Sequence, residues 1–202
     1  MEKVNSNPAF IIGNGESRRN FDLNILKGVS PTFGCNALYR EFLPDWLVSV
    51  DEKMIDEITE SDFPIEFTLF ARSLAEEYEP EECHPGRTSL PRNNSGMYAM
   101  QRAIEKNYNV LICLGFDFLI DDRHLSCTNM FAETQNYGPE THARFEDNVG
   151  RIHYLEWFAN KHKEVNFIFV LDEELPKVNI AAKNIFTIPY SALKLNIHRD
   201  TQ

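Results

Sequence analysis

The chain has no excess of positive charge, no paired cysteines and no long apolar run. Its 20 Lys and Arg against 31 Asp and Glu give a formal charge of −11, whereas a broad nucleic-acid surface needs clustered cations. A local basic groove stays open around Arg18 and Arg19, or around Arg87 and Arg92. Cys35, Cys83, Cys113 and Cys127 form no CxxC pair, which argues against a disulfide or zinc framework. Cys113 lies in an apolar run, where cysteine serves as a small buried hydrophobe. His84, His153, His162 and His198 show no metal-ligand spacing. Residues 1–7 lack the apolar core of a signal peptide, and no run is long enough to cross a bilayer. The expectation is a reduced, soluble, cytoplasmic protein with no structural metal, no integral membrane segment and no nucleic-acid partner.

What is present is an ordinary globular composition, 43% hydrophobic and 25% charged over 202 residues, enough for one well-buried domain. Strand patterns fall at 10–13, 31–35, 46–50, 65–70, 109–114, 165–171 and 185–188. The run at 109–114 is continuously apolar, as at the centre of a parallel sheet. Helical or turn patterns lie between them at 20–26, 37–42, 51–58, 97–106 and 151–163. In the fourth of these, Met97, Met100, Ala103 and Ile104 make a core-facing stripe. Alternation of this kind predicts a single α/β domain over 1–202, Rossmann-like, its mostly parallel sheet covered by helices on both faces. Residues 119–147 have little periodicity and are polar, as expected of a lid.

Two polar turns stand beside these strands. Gly13-Asn14-Gly15-Glu16-Ser17 follows Ala9-Phe10-Ile11-Ile12, and Asn93-Asn94-Ser95-Gly96-Met97 opens a helix. The first lets backbone approach a ligand closely, and Ser17 can cap a helix or donate to phosphate. It is equally a plain strand-to-helix turn, and it matches neither the GxGxxG fingerprint nor a P-loop. Asn36 follows the second strand at the level where ligands bind such sheets, and its amide suits a base or ribose edge. Asn94, Ser95 and Gly96 would present hydroxyl and backbone donors at a helix N-terminus. Gly115-Phe116-Asp117-Phe118 ends the central strand, with Asp117 either a ribose acceptor or a buried structural one.

In this order the segments resemble the bacterial sialyltransferases of glycosyltransferase family 42. That family has a GNGPSL-like turn, an RCN segment, and a TSG-helix-strand-GIDF segment. The likeness covers roughly the first 120 residues in three blocks. It extends more faintly to Leu155-Glu156-Trp157 and to Ile188-Pro189-Tyr190-Ser191. It implies a Rossmann-like domain with a lid, and a cytidine nucleotide held by Gly13, Asn14, Gly15, Ser17, Asn36, Asn94, Ser95, Gly96, Gly115, Phe116, Asp117 and Phe118. The implied partners are a CMP-activated sugar and a glycan acceptor, with no metal cofactor, in a homo-oligomer.

Three positions depart from the pattern. Glu16 replaces proline, Leu119 stands where a tyrosine assists phosphate departure, and Glu146 aligns with the catalytic histidine. His142, four residues earlier, is the candidate base, and Arg123, His124 and Tyr137 share its segment. Two other readings remain. Certain archaeal and bacterial proteins with a similar layout transfer diphosphate to a pterin alcohol, which would need Mg²⁺ on Asp51, Asp117 and Asp121. A binding module that kept the cradle and lost the base is the third.

Overall fold

The computed structural model describes residues 6–70, 93–120, 129–137, 145–171 and 178–193. Seven strands form one sheet: β1 (Pro8–Ile12), β2 (Thr32–Cys35), β3 (Trp46–Ser49), β4 (Thr68–Phe70), β5 (Val110–Leu114), β6 (Asn166–Val170) and β7 (Ile185–Ile188). Every pairing is parallel, in the order β4-β3-β2-β1-β5-β6-β7. The architecture is Rossmann-like α/β, with the sheet wholly parallel among the described strands.

Alternate residues of the central strands feed two cores, as the period of a strand requires. On one face Ala9, Ile11, Phe33, Leu111, Cys113 and Phe167 pack against α2 (Ser95–Glu105) and α3 (Phe145–Lys161). On the other, Phe10, Ile12, Leu114 and Val170 meet Leu23, Leu26 and Leu38 of short 3-10 helices. Leu47 meets Met54 and Ile58 of α1 (Glu52–Glu60). The stripe of α2 is core, with Met97, Met100 and Ala103 buried and Ile104 packed partly buried against them.

Several predicted boundaries shift. The strand expected over 65–70 is a 3-10 turn at Ile65–Phe67 followed by a three-residue strand. Pro64 starts that turn, and Ile65 and Phe67 are exposed, so the alternation there served no buried face. The helix or turn expected at 20–26 is a 3-10 turn at Leu23–Leu26, and another 3-10 turn, Glu16–Arg18, precedes it. The helix expected to begin at 151 begins at Phe145, inside the segment read as a lid.

One buried amide ties α3 to the last strand. Asn184 Nδ2 donates to the carbonyls of Ala159 at 2.9 Å, His162 at 3.0 Å and Val165 at 2.8 Å. Of these, the Ala159 carbonyl belongs to the last turn of α3, where a helix leaves its carbonyls without intrahelical partners. Glu156, also buried, accepts from the Ala181 backbone at 3.0 Å. Asn184→Ala should therefore cost about 1–3 kcal/mol, read as a lower urea midpoint with an unchanged slope. Asn184→Asp, which offers only acceptors to three carbonyls, should cost at least as much; a neutral result for either would refute this role.

Candidate functional site

The chain order reverses between β1 and β5. Strands β2, β3 and β4 build outward on one side of β1, and β5, β6 and β7 on the other. Turns leaving the carboxyl ends of β1 and β5 therefore diverge, which opens a crevice where open α/β sheets take ligands. The two turns are laced together by backbone. Gly13 N–H donates to Leu114 at 2.8 Å, and Gly15 N–H to Gly115 at 3.0 Å. A Cβ on Gly13 would lie 2.5 Å from the Gly115 carbonyl oxygen, and one on Gly15 would overlap the Asp117 carboxylate. Gly115 itself sits at φ +72°, which favours glycine.

Two charged residues hold this junction from within. Arg18 is 2% exposed; its Nε donates to the Gly13 carbonyl and its Nη1 pairs with Glu41 at 2.6 Å. The basic groove considered around Arg18 and Arg19 is therefore not formed: Arg18 is buried and Arg19 pairs with Glu16 on the outside. Glu16 lies outside the cleft lining, and its carboxyl is held below the usual range chiefly by the Arg19 hydrogen bond. Asp117 accepts from the Ser17 backbone at 3.1 Å and from Ser17 Oγ. Burial pushes the Asp117 carboxyl up, against the opposing pull of those bonds. Both Asp117 and Ser17 are thus committed to closing the first turn.

The crevice is a cleft of about 650 Å³. Gly13, Asn14, Gly15, Asn36, Asn94, Ser95, Gly96, Gly115, Phe116, Asp117 and Phe118 all line it, while Ser17 does not. Phe116 and Phe118 are also core residues, 3% and 5% exposed, and ring contacts join Phe116 to Phe118 and Phe169. Asn14 reaches across to the Cys35 carbonyl at 3.0 Å. Asn36, at φ +48°, accepts from Ser49 Oγ at 2.9 Å and donates to Asp51 Oδ2 at 3.1 Å. At the start of α2, Asn94 caps the Met97 N–H at 3.0 Å. The Ser95 hydroxyl beside it is buried and has no hydrogen-bond partner among the described residues.

Residues that sequence reasoning did not assign to the cleft include Asn93, Asn129, Asn136 and Arg151. Asp51 lines it too; it had been considered only as a Mg²⁺ ligand. Tyr137, in the segment read as a lid, is 6% exposed and packs with Phe131 in an apolar cluster. Residues 129–137 form a wall of the cleft. Met130 N–H donates to the Asn14 carbonyl at 2.8 Å, and Arg40 clamps the wall to α1. Arg40 donates to Glu57 Oε1 at 2.7 Å, to Thr134 Oγ1 at 2.9 Å and to the Gln135 carbonyl at 2.7 Å. Asn136 and Tyr39 also donate to Glu57.

His142, Arg123, His124, Asp121, Arg87, Arg92, Cys83 and Cys127 lie outside the described residues. Among the described residues no group of three His, Cys, Asp or Glu is placed to hold a metal ion. No described helix is long and apolar enough to cross a membrane. Fold and cleft together define a Rossmann-like α/β protein with a polar crevice at its switch point. No protein-family model, curated protein or solved structure matches the chain.

The clamp has a pH signature. Burial alone would raise the Glu57 carboxyl, but hydrogen bonds from Arg40, Tyr39 and Asn136 outweigh it and hold it below 4.5. A depressed folded value adds stability that is complete above about pH 4.5 and fades as pH falls through the folded value. Arg40→Met should therefore destabilise by about 2 kcal/mol near pH 7, and the gap to wild type should narrow in acid. Urea titrations near pH 7 and pH 3 measure both; an equal gap at the two values would refute the clamp.

Proposed function

We propose that the protein is a nucleotide-dependent glycosyltransferase of the sialyltransferase type, moving a sugar from a CMP-activated donor to a glycan hydroxyl. The observation that supports this reading most is the unpartnered, buried Ser95 hydroxyl at the N-terminus of α2, on a residue that lines the crevice together with the glycine turns. A buried hydroxyl without a partner costs about 1–3 kcal/mol, so its retention suits a bound acceptor such as a phosphate oxygen. The backbone N–H groups and the positive end of the helix dipole favour the same anion. Such a local site is compatible with a chain of net charge −11, because the donors are neutral dipoles.

The chemistry in this reading is an inverting displacement. The acceptor oxygen bonds to the anomeric carbon as the bond from that carbon to the CMP phosphate breaks. His142 takes the acceptor's proton, and the start of α2 stabilises the charge that gathers on the leaving phosphate. No metal is required. The diphosphate-transfer reading has less support, since Asp117, one of its three candidate ligands, is engaged by Ser17.

Heat-denaturation scans with CMP, CDP, GTP and ATP, each with and without Mg²⁺, test the reading. CMP should raise the midpoint without metal, and a purine effect that needs Mg²⁺ would overturn it. Ser95→Ala should weaken CMP by about tenfold while leaving the unliganded protein as stable or more so. His142→Ala should abolish transfer from a CMP-sugar while retaining CMP binding.

A further inference from the structure

Asn14 and Gly15 are the one Asn-Gly pair in the chain, and they sit where the turns of β1 and β5 meet. In a flexible chain that dipeptide is chemically weak. With no Cβ on the second residue, its backbone nitrogen can approach the asparagine side chain closely. The Gly15 nitrogen then bonds to the side-chain carbonyl carbon of Asn14. The bond from that carbon to Nδ2 breaks, and ammonia departs with the proton given up by the Gly15 nitrogen. Water opens the resulting succinimide at either of its two carbonyls, leaving aspartate or isoaspartate. The only co-reactant is water.

The fold withholds each reacting group. The nucleophile is occupied, since Gly15 N–H donates to the Gly115 carbonyl at 3.0 Å. The leaving group is occupied as well: Asn14 Nδ2 donates to the Cys35 carbonyl at 3.0 Å, and Oδ1 accepts from Arg18 Nη2 at 3.5 Å. From the outer side, Met130 N–H donates to the Asn14 carbonyl at 2.8 Å, and Gly15 forms an antiparallel bridge with Asn129. Asn14 is only 7% exposed. The ring cannot close until the bonds of both residues break together, which is a local opening of the junction.

Reaction bars the junction from closing again. A carboxylate in place of the amide offers only acceptors, so nothing answers the Cys35 carbonyl. The new charge is drawn instead to Arg18, already bound to the Gly13 carbonyl and to Glu41. Isoaspartate adds a carbon to the main chain between the two glycines. There is no room for it: a single Cβ on Gly13 or Gly15 would already lie 2.5 or 2.7 Å from the Gly115 oxygen.

We propose that Asn14 is a site of spontaneous deamidation that the β1–β5 junction holds shut, and that opening of the junction exposes the crevice lining to an irreversible change. The 129–137 wall is part of the gate, because it closes on Asn14 through Met130 and is clamped in turn by Arg40. The modification is independent of what the crevice binds.

Peptide mapping by mass spectrometry, on the full chain kept in warm, mildly alkaline buffer, reads the loss of the Asn14 amide over time. The chain unfolded in guanidinium chloride should lose it at least about tenfold faster than the folded chain. Arg40→Met, which frees the wall, should speed the loss in the folded protein by at least about threefold and leave the rate in denaturant unchanged. Asn14→Asp, which mimics one product, should lower the urea midpoint. Equal rates for folded and unfolded wild type would overturn the gate, and an Asn14 that stays intact in denaturant would overturn the site itself. A folded Arg40→Met that reacts no faster than wild type would overturn the wall's part in the gate. An Asn14→Asp chain as stable as wild type would overturn the barred closure.

Discussion

The contact between the β1 and β5 turns is the constraint from which the site follows. Two backbone bonds, Gly13 to Leu114 and Gly15 to Gly115, continue the sheet ladder beyond the strands and bring the turns to van der Waals distance. No side chain other than hydrogen fits at Gly13 or Gly15 in that arrangement. The glycines are therefore accounted for by the packing of one turn on the other, before any ligand enters. Once the turns touch, the polar groups they carry must be satisfied locally, and Arg18 and Asp117 do so. Arg18 takes up the Gly13 carbonyl and the Glu41 carboxylate, while Asp117 takes up Ser17.

That internal settlement divides the polar residues in and behind the crevice into two sets. Asp117, Ser17, Arg18 and Asn14 have partners within the protein. The Ser95 hydroxyl, on α2, has none among the described residues. Buried polar groups are normally satisfied, and the orphaned Ser95 hydroxyl is the exception on which the proposed phosphate site rests. The wall that presents Tyr137 is held by Arg40 and Glu57, groups drawn from β2's following turn and from α1. This side of the cleft is thus held by an ion pair that lies outside the lining.

Much of the fold was legible in the chain because its signals are local. The apolar runs of β1, β5 and β6 alternate with the stripe of α2, and their boundaries differ from the expected ones by one or two residues. Where the signal misled, a tertiary cause is visible. The alternation at 65–70 belongs to a sheet edge where Ile65 and Phe67 stay exposed, so no buried face enforced a strand. The segment 129–137 reads as polar loop, yet Phe131 and Tyr137 anchor it in a satellite core with Ala37 and Leu47. Contacts of that range leave no period in the sequence.

By itself the sequence determined the order of strands and turns, and with it the crevice, because strand periodicity and glycine placement act over a few residues. It also set Asn36, Asn94, Ser95 and Gly115 at the ends of strands and at a helix start, for the same reason. The tertiary structure alone decided what each polar residue is for. Ser17 and Asp117 find each other across 100 positions, and Asn36 and Asp51 across 15. Whether a carboxylate closes a turn or faces a ligand depends on which donors arrive from elsewhere in the chain, and only the folded arrangement brings them.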